Sequence, residues 1–471
     1  MASDPIEHVI VLMLENRSFD QMLGYMKQVY PAIEGIDTKN PLCNPDLKPG
    51  SPGICQTAAA RDTTAPDPMH EVANVLQQLD VPGKCQGFVQ DYAASHADKE
   101  PFDHRNVMCY FPRGSLGVLH TLAESFTVCD HWFSSLPGPT WPNRFFATTG
   151  TSLGHTDMPD GITKPALHIY NQDTIFTQLN QAGKSWAIYH GDFPQTLLLT
   201  RLWLHPLHFH SLNRFFKDAA GDAANFPEFS FLEPVYFNTF GNQNDQHPPT
   251  EVSKGEALIA QVYNAIRANK ALWEKTLFIL LYDEHGGFAD HVWTPPKGAV
   301  PPDDNVDTIS TFKFDRLGLR VPAILISPWV AKGFDPTTYD HTSLLKYIAG
   351  KWGVQELGDR TANANSFGSL LTKLGAPRTD TPPTVAPVQP PKAFVAEGVP
   401  PLPEQFNDHQ RALYLFSEYL ESQMSTVESA DAYRARAFRA MQSPADAGAV
   451  ATERAAQFLA HLNEGLVLPT A

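Results

Sequence analysis

Short, uninterrupted runs of apolar residues are the clearest pattern in this chain. Residues 9–14 form the first run, and two similar runs lie far downstream within the segments 276–282 and 320–327. Runs of this length are typical of strands that are buried on both faces. Residues 185–189 predict a further strand, whereas residues 256–270 repeat their apolar positions at helical spacing. Strands that alternate with helices predict parallel βαβ units, and therefore an α/β fold.

Changes in composition along the chain predict three parts. Residues 1–374 carry the predicted strands and form the main domain. Residues 375–403 are rich in proline, which predicts a linker or an extended arm lying over that domain. Residues 404–471 have a helical pattern, and we expect them to form a small C-terminal appendage.

The location of the protein stays open at this point. The sequence has no apolar stretch long enough to predict a membrane-spanning helix. Residues 1–5 lead directly into the first strand, so we expect no signal peptide in this chain. A cytoplasmic location follows for the chain as written, and a secreted or periplasmic one if a leader has been removed.

Composition and charge narrow the class of partner. Hydrophobic residues make up 42% of the 471 residues, which is enough for a large core. The net charge of −16 argues against nucleic acid as a partner and against broad electrostatic binding to anionic membranes. The five cysteines include no Cys-x-x-Cys pair, which makes a thiolate zinc site improbable. Cys43 and Cys55 share a loop rich in proline and glycine and could be bridged.

Acidic and amide side chains follow two of the predicted strands. Glu15 and Asn16 come directly after residues 9–14, and Asp283 and Glu284 come directly after residues 276–282. Open α/β sheets bind their ligands at the carboxyl ends of strands, so these side chains are candidates for one site. Three carboxylates repel one another unless a cation lies between them. We therefore predict one divalent metal ion, and oxygen ligands favour Ca²⁺, Mg²⁺ or Mn²⁺ over Zn²⁺. The alternative is two unrelated strand-end caps.

A candidate nucleophile stands in a turn before a predicted helix. Pro142 can begin a helix, which puts Thr140 just before the helix N-terminus, where amide donors favour negative charge. A threonine hydroxyl attacks only when a base or a metal takes up its proton. Placed against the predicted cation, Thr140 would become a nucleophile. The alternative is an ordinary N-cap, a role in which threonine is common.

Histidines supply the remaining chemistry. The sequence has eighteen, and any single one is more often a surface or core residue than a catalytic one. His247 stands before two prolines in a stiff loop and is the best candidate to hold phosphate oxygens or to protonate a leaving group. His285 and the pair Asp340–His341 would add ligands if the site held two metal ions.

Four motifs resemble, in the same order, those of one phosphoesterase family. They are ENRSFD at residues 15–20, TWPNR at 140–144, DEHGGFADHV at 283–292 and GLRVPAILISP at 318–328. This family includes plant non-specific phospholipases C, bacterial phosphatidylcholine-type phospholipases C and certain bacterial acid phosphatases. The resemblance spans about residues 5–372. It implies an alkaline-phosphatase-like α/β fold, with a mostly parallel central sheet flanked by helices.

The resemblance also implies roles for individual residues. The implied metal ligands are Glu15, Asn16, Asp283 and Glu284, completed by the nucleophile Thr140. The implied catalytic residues besides Thr140 are His70, His247 and His210. The candidate substrate-binding residues are Asn16, Trp141 and His291.

The function that follows is a metal-dependent phosphoesterase. A threonine at position 140, where the phosphatase branch has serine, favours a phospholipase C that cleaves the glycerol-side phosphodiester through a phosphothreonine intermediate. The alternatives are an acid phosphatase acting on phosphomonoesters and, from another class, a non-catalytic metal-stabilised binding protein. The expected substrate is a phospholipid or a small phosphate ester. The apolar residues 193–216 could touch a membrane surface transiently, or they could form a buried helix pair.

Overall fold

An eight-stranded sheet forms the centre of the protein in a computed structural model. The structure describes residues 4–79, 84–99, 101–159, 170–239, 241–294, 297–307, 311–390, 406–424 and 444–466. The strands are β1 (His8–Leu14), β2 (Cys43–Asn44), β3 (Ile54–Cys55), β4 (Thr127–Cys129), β5 (Trp186–His190), β6 (Phe209–Ser211), β7 (Phe229–Glu233), β8 (Thr276–Tyr282), β9 (Ala323–Ile326) and β10 (Gly333–Asp335). Their order in the large sheet is β10-β4-β9-β8-β1-β7-β5-β6.

Helices flank this sheet. They are α1 (Phe19–Leu23), α2 (Val72–Leu79), α3 (Phe88–Ser95), α4 (Gly117–Ser125), α5 (Thr140–Thr149), α6 (Ile175–Gln181), α7 (Leu212–Ala220), α8 (Val252–Ala268), α9 (Lys270–Trp273), α10 (Thr342–Trp352), α11 (Gly358–Asn363), α12 (Asp408–Met424) and α13 (Pro444–Leu466). Helix α8 packs against α4 and α7, and α10 packs against α5. The predicted α/β architecture is confirmed.

The two central strands are those with the longest apolar runs. Every residue of β1 and of β8 is buried, because helices cover both faces of the sheet. Strand β1 pairs in parallel with β7 on one side and with β8 on the other. Strand β9 is antiparallel to β8 and to β4. The described residues between β8 and β9 contain no crossover helix, and a parallel connection needs one.

The loop after α1 carries a disulfide. Cys43 and Cys55 are bonded across the two-stranded sheet formed by β2 and β3, so the bridge left open by the sequence is present. Cys85, Cys109 and Cys129 are free thiols.

The C-terminal part lies on the main domain where it is described. The Tyr263 hydroxyl donates to the Pro382 carbonyl oxygen, and Asn264 exchanges two hydrogen bonds of 2.9 Å with Val385, so the proline-rich arm runs along α8. Helices α12 and α13 pack against each other and confirm the helical pattern. Residues 391–405 and 425–443 lie outside the described residues. No helix in the described ranges is long and apolar enough to cross a membrane.

The apolar segment 193–216 is mostly buried, but it is not a helix pair. Three short 3₁₀ turns (Gln195–Leu198, Thr200–Leu204 and Pro206–His208) lead into β6 and α7. Two leucines of this segment, Leu204 and Leu207, are each 71% exposed.

Candidate active site

The two acidic strand ends meet at one edge of the sheet. Leu14 and Tyr282, the last residues of β1 and β8, are paired in register, so the residues that follow leave the sheet side by side. The backbone N–H of Asn16 donates to Asp283 Oδ1 at 3.1 Å, and that of Arg17 donates to the Glu284 carbonyl oxygen at 3.0 Å. Glu15, Asn16, Asp283 and Glu284 are all fully buried. The predicted convergence of the two distant segments is therefore present.

The backbone leaves regular strand geometry soon after each strand ends. On a regular strand, successive side chains face opposite sides of the sheet. Asn16 has a φ of 58° and Gly286 a φ of 62°, both in the left-handed region. Asparagine and glycine are the residues that tolerate this conformation best, which explains their presence in the first and third motifs.

Several oxygens at this edge are buried without a hydrogen bond. They are Glu15 Oε2, Asn16 Oδ1, Thr140 Oγ1 and Glu284 Oε1. Buried polar atoms are almost always partnered, since an unpaired one keeps the full cost of its lost hydration. Three of these oxygens follow the paired strand ends, and the fourth lies on the helix whose Arg144 pairs with Glu15 and Asp283. Such a set fits a bound metal ion, and its oxygen atoms suit a hard divalent cation. These residues could therefore hold the metal that the sequence predicts.

Asp283 is more fully engaged than its neighbours. Its Oδ1 accepts hydrogen bonds from the N–H groups of Asn16 and Glu284, and its Oδ2 lies 3.2 Å from Arg144 Nε. A carboxylate oxygen has two acceptor positions, so Oδ1 is fully used and Oδ2 still has one position for a cation.

Arg144 is a site residue that the sequence reasoning missed. It lies one helical turn after Thr140 on α5, and residues four apart share a helix face. Its Nη2 is 3.0 Å from Glu15 Oε1, its Nε bonds Asp283, and its Nη1 donates to the Tyr236 hydroxyl at 2.9 Å. Burial raises the pKa of Glu15 to about 8, and the Arg144 charge opposes this rise. The signal was present in the motif TWPNR, where the arginine follows the threonine at helical spacing.

Thr140 is the first residue of α5, and Pro139 is the N-cap. The side chain of Thr140 is fully buried, and its hydroxyl makes no hydrogen bond, so the N-cap alternative is wrong. Helix α5 begins two residues earlier than Pro142 suggested, because proline is tolerated anywhere in a first turn, where N–H groups have no intrahelical partner. Trp141 is also fully buried, and its ring lies 6.4 Å from that of Tyr170, so it packs within the core.

His70 and His247 form a pair beside Asn16. Each ring donates from Nδ1 to a backbone carbonyl, that of Pro68 at 2.9 Å and that of Pro248 at 2.8 Å. The His70 Nε2 lies 3.2 Å from the Asn16 side-chain amide. Burial disfavours the charged form of His247, but Asp67 and Asp408 raise its pKa to about 10. For His70 burial again opposes the charge, and Glu284 and Asp408 raise the pKa well above its ordinary value.

Two further residues enter the site from the C-terminal helix α12. Asp408 Oδ2 is 2.9 Å from His70 Nε2, and Asp408 Oδ1 is 2.9 Å from His247 Nε2. His409 Nδ1 is 2.7 Å from Glu15 Oε1, and its ring packs on Tyr236 at 4.7 Å. The sequence reasoning missed both residues. An Asp-His pair at the start of a helix carries no local signal for contacts with side chains more than 150 positions away.

His291 belongs to a different cluster. Its Nδ1 is 2.8 Å from Asp20 Oδ2 and its Nε2 is 3.0 Å from Glu34 Oε1. Arg320 completes the cluster with ion pairs to Asp20 and Asp290. This network ties together the first, third and fourth motifs. Both ring nitrogens of His291 are engaged there, and the structure does not bring His291 into contact with Asn16 or Thr140.

His210 lies on β6, the edge strand of the sheet. Three strand spacings separate β6 from β1, which is about 14 Å at the usual distance between strands. The His210 ring is 5.7 Å from that of Tyr189 on the neighbouring strand. The sheet order therefore separates His210 from the paired histidines.

The three residues considered for a second metal ion have other partners in the structure. His341 Nε2 lies 2.6 Å from the Asp283 carbonyl oxygen, and its Nδ1 accepts from the Trp132 indole. Asp340 is paired with Arg360 at 3.2 Å, and His285 Nε2 is 2.7 Å from Gln78 Oε1.

Candidate oxygen ligands follow two adjacent parallel strands, and a buried hydroxyl stands at a helix N-terminus. This arrangement suits the hydrolysis of phosphoric esters. The sequence matches the Phosphoesterase family over residues 6–355, and the chain belongs to this family.

Relatives of this chain include a plant protein and a bacterial protein. The chain is 38% identical over 412 residues to non-specific phospholipase C6 of Arabidopsis thaliana, covering 83% of this chain and 76% of the relative. It is 30% identical over 402 residues to phospholipase C B of Mycobacterium tuberculosis, covering 74% of each. A solved structure of a protein in the alkaline phosphatase superfamily from Vibrio parahaemolyticus matches 77% of this chain and 71% of its own, at 9% identity and a TM-score of 0.37.

Proposed function

We propose that this enzyme is a metal-dependent phospholipase C that cleaves the glycerol-side phosphodiester of phospholipids. The observation that carries the proposal is the buried, unbonded hydroxyl of Thr140. It lies one helical turn before Arg144, which pairs with Glu15 and Asp283 at the strand ends. The names of the two relatives described above, both phospholipases C, support the substrate class.

Glu15, Asn16, Asp283, Glu284 and Thr140 would hold one divalent ion, with Ca²⁺, Mg²⁺ or Mn²⁺ preferred by oxygen ligands. When bound, the ion would supply charge neutralisation at the phosphate and a lower pKa for the threonine hydroxyl. The Thr140 hydroxyl releases its proton to solvent, its Oγ1 attacks phosphorus in line, and the bond to the glycerol oxygen breaks. His247 or His70 donates a proton to the leaving oxygen, and diacylglycerol departs. Water then hydrolyses the phosphothreonine and releases the phosphorylated head group.

Arg144 has a positioning role in this proposal. It pairs with Glu15 and Asp283 from the same helix that carries Thr140, so it fixes the nucleophile relative to the strand ends. Neither His291 nor His210 receives a role, because their ring contacts belong to other parts of the sheet.

We further propose that the substrate is taken from a lipid surface. Leu204 and Leu207 are the most exposed large apolar side chains among the described residues, and they lie on consecutive turns. Apolar side chains that project from a surface in this way fit insertion between lipid head groups.

The test compares phosphatidylcholine with a chromogenic phosphomonoester, and both products are identified. We expect diacylglycerol and phosphocholine, and a Thr140→Ala variant at least about 10³-fold slower than wild type. Thr140→Ser retains a hydroxyl and part of the activity. Thr148→Ala is the matched control, since Thr148 lies on the same helix and bonds the Arg144 carbonyl oxygen. Turnover of the monoester alone would favour the acid phosphatase, and no turnover by metal-loaded protein would favour a binding protein.

A further inference from the structure

The Asp408 carboxylate fills the space between His70 and His247. Each of its oxygens is 2.9 Å from the Nε2 of one imidazole, so the carboxylate bridges the pair. Both histidines are buried, whereas the Asp408 side chain is 30% exposed. Asp408 is the first residue of α12 and lies 161 positions from His247 and 338 positions from His70 in the sequence.

The paired imidazoles have no other atoms to offer a substrate. Their Nδ1 atoms donate to the carbonyl oxygens of Pro68 and Pro248, and these bonds fix both rings. Only the two Nε2 atoms remain. Each lies 2.9 Å from an oxygen of Asp408, and that of His70 also lies 3.2 Å from the Asn16 side-chain amide. A phosphoryl group presents pairs of anionic oxygens much as a carboxylate does, and the same donors bind both.

We propose that Asp408 is an internal competitor for the phosphoryl subsite, and that its carboxylate must turn away before a phosphate ester binds between His70 and His247. This proposal rests on the proposed function, since it assigns the histidine pair to the phosphate group. A carboxylate and a phosphate cannot share the pair, because two anions at such short distance repel strongly.

The body of α12 stays in place while its first residue moves. Gln410 Nε2 donates to the Tyr236 carbonyl oxygen at 2.7 Å. The Phe416 ring packs on those of Trp141 and Phe193 at 6.5 and 6.1 Å. Asp408 begins the helix and is partly exposed, so rotation of its side chain towards solvent frees both imidazoles. The apparent affinity of the site for phosphate is therefore its intrinsic affinity multiplied by the fraction of time that Asp408 is turned away.

The test measures binding of inorganic phosphate to the metal-loaded enzyme by calorimetry, which requires no turnover. Asp408→Asn removes the competing charge, and we expect it to bind phosphate about tenfold more tightly than wild type. Glu421→Gln is the matched control, because Glu421 lies on the same helix and pairs with Arg454 at 2.7 Å. It removes the same charge and is expected to bind phosphate as wild type does. In the double variant Asp408→Asn/His247→Gln, we expect the increase in phosphate affinity to be lost.

Three results would overturn the proposal. Phosphate affinity in Asp408→Asn that is equal to or weaker than wild type, with unchanged circular dichroism, excludes competition. A fall in kcat with unchanged KM makes Asp408 a positioning residue for the histidines instead. A second equivalent of metal in wild type that Asp408→Asn lacks makes the cluster a metal site. Asp408→Ser serves as a second variant if Asp408→Asn does not fold. The phosphate-binding measurement tests the role of Asp408 even if the enzyme hydrolyses no ester. Failure of this proposal can therefore be distinguished from failure of the proposed function.

Discussion

Gly286 lies directly against the backbone of Asn16. A Cβ on Gly286 would stand 2.1 Å from the Asn16 carbonyl oxygen and 2.8 Å from its Cα, distances that no real side chain occupies. The third motif therefore needs glycine at this position so that the first motif can approach. This close contact sets the separation of the two strand ends that carry the candidate ligands.

Gly286→Ala should displace Asn16 and disable the site. We expect a loss of activity of at least about 10²-fold and weaker metal binding, because a shift of about 1 Å is enough to misplace catalytic groups. Gly353→Ala is the matched control, since Gly353 has a similar φ of 67° and no heavy atom near its missing Cβ. It should cost only the strain of the left-handed conformation, about 1–2 kcal/mol of the free energy of unfolding, and leave kcat unchanged. Equal activity of the two variants would mean that this contact is unimportant for the site.

Removal of the metal should lower stability as well as activity. A ligand that binds only the folded state adds about 2.7 kcal/mol of stability at a hundredfold excess over its Kd, so chelation should lower Tm. In Glu15→Gln, the Tm should be the same with and without the chelator, because Glu15 Oε2 is one of the unbonded candidate ligands. Glu233→Gln is the control: Glu233 is also fully buried at a strand end, but Thr196 satisfies both of its oxygens. A chelator-sensitive Tm that survives in Glu15→Gln would remove Glu15 from the ligand set.

The central strands and the meeting of the four acidic and amide residues that follow them could be predicted from the sequence for one physical reason. Strands β1 and β8 are covered on both faces, so they appear as uninterrupted apolar runs, and the polar residues that follow them are conspicuous. Thr140 and His247 were identifiable because proline marks their local conformation.

The contribution of α12 could not be predicted in this way. The contact of Asp408 with His247 depends on how the appendage packs against Tyr236 and Trp141, and no short-range pattern encodes that arrangement. The antiparallel direction of β9 was also hidden, because the connection that precedes it carries no periodic signal. Tertiary packing, rather than local propensity, determines both features.

The cluster around His291 predicts a pH dependence of stability. Burial disfavours the charge on His291, but Asp20 raises its pKa from 6.5 to about 9. A raised pKa stabilises the folded state below pH 6.5, and this contribution is lost as the pH rises from 6.5 to 9. The free energy of unfolding of wild type should therefore fall relative to that of His291→Gln across this window, by at most about 1.4 kcal/mol per pH unit. Chemical denaturation at several pH values measures this difference. His461→Gln, at an exposed position on α13, should run parallel to wild type.

Leu204 and Leu207 allow contact with lipid to be separated from chemistry. The double variant Leu204→Ser/Leu207→Ser should bind phosphatidylcholine vesicles less tightly and hydrolyse them more slowly, because about 25 cal/mol is lost for each Å² of apolar surface no longer buried in lipid. Hydrolysis of a short-chain, monomeric phosphatidylcholine should be unchanged, since neither leucine contacts the residues of the candidate site within the described structure. Leu47→Ser/Val306→Ser replaces two other exposed apolar side chains, which are 41% and 51% exposed, and should behave as wild type on both substrates. Equal losses on vesicles and on monomers would instead indicate that the turns carrying Leu204 and Leu207 support the fold of the site. That result would be consistent with the contact between these turns and α13, where Trp203 packs on Phe458 at 4.8 Å.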